Sequence, residues 1–96
     1  MTMKMNKFKM IPTSMPKGVQ AVLDFGKYEL SIIQNESSYG NKQGLYEIAV
    51  FKDSEQCELP GVTEPGDTVK GFLTEEDVNG ILKKMYLITG KMPEQV

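Results

Sequence analysis

Three groups of residues have types and spacing that could do chemistry. They are the acids Glu75-Glu76-Asp77, the thiol of Cys57, and Lys42 between Gly40 and Gly44. Adjacent carboxylates shuttle protons or hold a metal when further ligands converge on them. A thiol attacks when a base or a cationic site activates it. A lysine in a glycine loop cradles phosphate in the order Gly-x-x-x-x-Gly-Lys-Ser/Thr. None of the three is completed by what surrounds it. The chain has no His, and all 11 of its basic residues are Lys. Ser-His-Asp and Cys-His systems are therefore excluded. One Cys without His makes neither an ordinary zinc site nor an intrachain disulfide. Without Arg there is no guanidinium fork for phosphate or guanine. Residues 40–44 and 61–66 both lack the phosphate-loop order. Glu75, Glu76 and Asp77 are explained by a helix start, where capping and the helix dipole favour acids. No catalytic residue, cofactor or metal is expected, and the chain reads as a non-enzyme.

The elements that would position these residues are legible. Residues 19–34 form a hairpin about Gly26-Lys27, a pair suited to a two-residue turn. That turn pairs Phe25 with Tyr28, Leu23 with Leu30 and Ala21 with Ile32, all on one face. The other face carries Asp24, Glu29 and Ser31 together with Val22 and Ile33. Asp24 then faces Glu29, a mildly costly like-charge pair.

Residues 35–44 are polar and turn-rich, hence a surface loop. Residues 45–52 alternate as an interior strand, with Tyr46, Ile48 and Val50 on one face and Leu45, Ala49 and Phe51 on the other. A short return strand follows at 56–59. Pro60-Gly61 and Pro65-Gly66 then frame a loop over 60–68. An extended piece is expected at 68–73.

A helix over 75–89 opens with Thr74 as N-cap, Asp77 at N3 and Leu73 stapling onto Val78. Its apolar stripe is Val78, Ile81, Leu82, Met85 and Ile88. Gly90 ends it, and mid-helix Gly80 reads as a close approach to the sheet. The fold class is α+β: an antiparallel meander of three to five strands packed on one C-terminal helix, in a single domain over 1–96.

Charge is uneven. Lys4, Lys7, Lys9 and Lys17 lie in the first twenty residues with no acid, whereas all 13 acids follow, and the net charge is −2. Residues 1–15 read as a loose leader or as an edge strand over 7–11 blunted by lysine. No apolar run approaches the roughly 18 residues that would span a membrane, and no apolar stretch follows the first lysines as in a secretory signal. A reducing compartment is expected, with Cys57 free.

Tyr39 is conspicuous in the polar loop, and tyrosine is a favoured interface anchor. With Lys42, Leu45, Phe51 and Tyr86 it makes the candidate protein-contact set. Lys4, Lys7, Lys9 and Lys17 make the alternative, nucleic-acid-contacting set. One helix covers only part of one sheet face. Val22, Ile33, Leu45, Ala49 and Phe51 therefore need another cover, and a homodimer or a partner is expected there. The alternative is that the N-terminal segment covers them.

The string Tyr39-Gly-Asn-Lys-Gln-Gly-Leu-Tyr-Glu-Ile-Ala-Val-Phe and the run from Leu59 to Val78 resemble a group of short uncharacterised proteins of tailed bacteriophages and prophages. The resemblance covers most of residues 12–96. It implies a phage-encoded protein made in the bacterial cytoplasm. It also implies action by binding a host or phage protein, as a host-takeover, inhibitor or anti-defence factor. Alternatives are a replication accessory using the lysine-rich N-terminus, a minor virion or assembly component, and, well behind, a small hydrolase or ligand-binding domain using residues 75–77.

Overall fold

The alternating apolar residues of 19–34 pair in the register expected of them. The computed structural model describes residues 4–38 and 40–96. In it β2 (Lys17–Asp24) and β3 (Glu29–Asn35) align Leu23 with Leu30 and Ala21 with Ile32. The turn closes through the Phe25 N–H, which donates to Tyr28 O at 2.8 Å, with Gly26 at a φ of +84°. That φ is one glycine adopts without steric cost. β4 (Tyr46–Lys52) pairs β3 on its far side, setting Ile48 against Ile32 and Val50 against Leu30.

Short strands flank this three-strand centre. β1 (Ile11–Ser14) pairs the first half of β2, and β7 (Glu94–Gln95) pairs the second half along the same edge. On the opposite side β5 (Glu55–Gln56) and β6 (Val69–Leu73) share the outer edge of β4. The α+β antiparallel architecture is the one expected, with seven strands instead of three to five. β7, two residues long, is the strand the sequence did not signal, since no periodicity shows over so short a run.

Helix α1 (Glu75–Thr89) is where its capping chemistry puts it. Asp77 N–H donates to Thr74 Oγ1 at 3.1 Å, and Thr74 N–H donates to Asp77 Oδ2 at 3.0 Å. Leu73 and Val78 are both buried, as a staple requires. Val78, Ile81, Leu82 and Met85 pack against Leu23, Phe25, Leu30, Ile32, Ile48 and Val50 to form the core. Ile88 does not continue the stripe. It is 46 % exposed, and its neighbour Leu87 is 69 % exposed, whereas Tyr86 of the same turn packs against the core. Gly80 makes no close approach either: its Cβ position is open to solvent. The close approach belongs to Gly18 in β2, where a Cβ would overlap Gln34 O and Asn35 Cα of β3.

Two further expectations are corrected. The leader is not an edge strand over 7–11. Met5–Lys7 form one 3-10 turn, Met5 is buried in the core, and its N–H donates to Asn79 Oδ1 of α1 at 2.7 Å. The edge strand begins at Ile11 and turns at Met15-Pro16, whose peptide bond is cis. The return strand over 56–59 shrinks to Glu55–Gln56, because the chain leaves the sheet to bury Leu59 and Val62 in the core. Lys84 Nζ of α1 holds that loop by donating to Gly61 O at 2.9 Å. Among the described residues, no helix is long and apolar enough to cross a membrane.

Candidate protein-binding face

Side chains alternate across a strand, so the ladder registers sort every strand residue onto one of two faces. The helix, the Met5 turn and the 57–63 loop all pack on the face of Leu23, Leu30, Ile32, Ile48 and Val50. The opposite face receives Ile11 and Thr13 of β1, and Gln20, Val22 and Asp24 of β2. β3 adds Glu29, Ser31 and Ile33, and β4 adds Glu47, Ala49 and Phe51. Asn35 of β3, Gln56 of β5, Val69 of β6 and Glu94 of β7 also lie on it. No helix of the described residues lies over it. The described part of the N-terminal segment packs on α1 and the core instead, so those residues do not supply the cover.

The centre of this face is apolar. Val22, Ile33, Phe51 and Val69 are half-buried among their neighbours, and Ile11 is 49 % exposed. Gln20 Nε2 donates to Ser31 Oγ at 2.9 Å, which accounts for the buried hydroxyl between them. At the hairpin end lies a row of cross-strand neighbours, Glu94–Asp24–Glu29–Phe51. The Asp24–Glu29 opposition is the one expected from the hairpin register, and β7 adds a third carboxylate to it. Asp24 Oδ1 accepts the Gly26 N–H at 2.7 Å, but no described lysine forms an ion pair with any of the three acids.

At the other end of β4 the chain is irregular. β6 slips register between its pairings with Tyr46 and Ile48, and Phe72 adopts a φ of +57°. A bulky side chain at positive φ is a true outlier, costing about 1–2 kcal/mol. Phe72 is 58 % exposed and lies against Gly40, whose Cβ position is 3.1 Å from Phe72 Cα. Phe72, Glu36, Ser38 and the 3-10 turn Asn41–Gln43 line an open cleft of about 300 Å³.

The candidate contact set is not gathered into one site. Tyr39 lies outside the described residues. Lys42 is exposed beside the Phe72 cleft, and half-buried Leu45 donates its N–H to Gly40 O at 3.0 Å nearby. Phe51 is six residues further along, roughly 20 Å at strand rise. Tyr86 is half-buried against the core on the helix side of the sheet. Ile11, Val69 and Phe72 were missed by sequence reasoning. Phe72 gave no signal, since a positive φ at an aromatic follows from a register slip and not from local propensity.

The four lysines of the alternative set are exposed but dispersed. Lys4 precedes the turn on α1 and Lys7 ends it. Lys9 is held by Gln95, opposite Leu23, whereas Lys17 sits six residues further along β2, roughly 20 Å away. Glu75 and Glu76 are exposed on the first turn of α1, Asp77 is committed to the capping box, and Cys57 packs half-buried against the core. No three His, Cys, Asp or Glu side chains among the described residues converge as metal ligands. No protein-family model matches the chain, and neither a curated protein nor a solved structure matches it.

Proposed function

We propose that this chain is a non-enzymatic protein that acts by binding another protein through its helix-free sheet face. One observation carries the reading: an apolar centre of Ile11, Val22, Ile33, Ala49, Phe51 and Val69 lies on a face that no helix of the described residues covers. Contiguous apolar surface of this kind marks interaction sites. The lack of His and Arg supports the non-enzymatic half of the reading. In the setting that the phage resemblance implies, the partner is a host or phage protein met in the bacterial cytoplasm.

The test is a tagged pull-down from bacterial lysate, read by mass spectrometry, with the wild type beside Ile33→Lys. One stoichiometric protein that survives high salt and is lost with Ile33→Lys is the expected result. Retention of the same protein by the variant would show that this face is not used. Nucleic acid alone, released by salt, would move function to Lys4, Lys7, Lys9 and Lys17.

A further inference from the structure

We infer that the partner surface docking on the helix-free face is basic: an apolar patch bordered by Lys or Arg. This rests on the docking reading above and adds the chemistry of the occupant. Every charged side chain that the ladder registers place on this face is acidic: Asp24, Glu29, Glu47 and Glu94. The lysines of the same strands, Lys17, Lys52 and Lys70, hold register positions of the opposite face. Lys27 of the β2–β3 turn lines one cleft with Asp24, Glu29, Phe51 and Asp53, so the acids at that end of the face outnumber the lysine. An apolar centre with a border of predominantly negative sign selects partners by complementary potential.

The row Glu94–Asp24–Glu29–Phe51 sharpens the choice. Directly opposed like charges destabilise a sheet, and cationic side chains laid across the row relieve that repulsion. Phe51, between Glu29 and Gln56 in the row, offers an aromatic neighbour on which a guanidinium can lie. A second copy docked face to face would bring carboxylates toward carboxylates, and nucleic acid or an anionic membrane would be repelled by the same border.

Two synthetic amphipathic helical peptides with the same leucine stripe, one bordered by lysine and one by glutamate, test this by NMR titration of the isotope-labelled protein. The lysine peptide is expected to shift the amides of Val22, Ile33 and Ala49 and to bind at least about tenfold more tightly than the glutamate peptide. Its binding should weaken but persist as salt rises. The triple variant Asp24→Asn, Glu29→Gln, Glu94→Gln should lose the preference while still binding. Equal binding of both peptides at this face would overturn the basic partner and leave the docking surface standing. No shifts from either would overturn both. A dimer in sedimentation that Ile33→Lys dissociates would give the face to a second copy and overturn the inference.

Discussion

Gly80 and Gly18 separate two reasons for a glycine inside regular structure. Gly80 sits mid-helix with open space where its Cβ would be, so it loses backbone entropy on folding with no packing gain. Gly80→Ala should stabilise the protein by about 1 kcal/mol, raising Tm by roughly 4–8 °C in a thermal melt. Gly18→Ala should do the reverse, since its Cβ would strike the β3 backbone at Gln34 and Asn35. Overpacking of that kind costs about 1–3 kcal/mol or more. At Asp77 the backbone hydrogen bond from Thr74, then the Thr74 side chain, hold the carboxyl below its ordinary pKa. The unfolded chain therefore takes up this proton first as pH falls. The stabilisation is complete above the ordinary Asp pKa of about 3.9 and disappears as pH drops through the lowered folded value. The Tm advantage of the wild type over Asp77→Asn should accordingly be widest near neutrality and narrow in acid, which a pH series of melts would show.

At the scale of elements, the N-terminal segment is the informative case. Its lysines and methionines read as a frayed leader, yet Met5 is 4 % exposed in the core and its backbone is tied to Asn79. Met5→Ala should cost about 2–4 kcal/mol in urea denaturation, the usual range for a buried methionine. A loss under 0.5 kcal/mol, as for a solvated end, would contradict that placement. The same contact explains why the segment leaves the far side of the sheet bare: a chain pinned to α1 at Met5 returns to the sheet only at its edge, as β1.

For the molecule as a whole, the two faces of one sheet predict opposite behaviour for adjacent residues. Ile32 is fully buried under α1, whereas Ile33 lies on the helix-free face. Ile32→Ser should cost about 3–5 kcal/mol, a large share of a small domain's stability. Ile33→Ser should stay within about 1 kcal/mol in the same denaturation experiment. If both variants lose stability equally, something covers the second face in the isolated protein.

The sequence by itself determined what local chemistry controls. The Gly26-Lys27 turn set the β2–β3 register, alternation set the two faces of β4, and the Thr74–Asp77 capping box with Gly90 set both ends of α1. These depend on a few neighbouring residues, so they can be read along the chain. Only the tertiary structure decided where the N-terminal segment packs, that Gly18 and not Gly80 is the close approach, that Phe72 is turned outward, and that Glu94 joins Asp24 and Glu29 in one row. Each of these depends on residues far apart in sequence meeting across the sheet, and no local pattern encodes such a meeting. The candidate face divides the same way. Its apolar members on β2, β3 and β4 were legible from alternation, while Ile11, Val69 and Glu94 joined it through pairings that only the closed sheet creates.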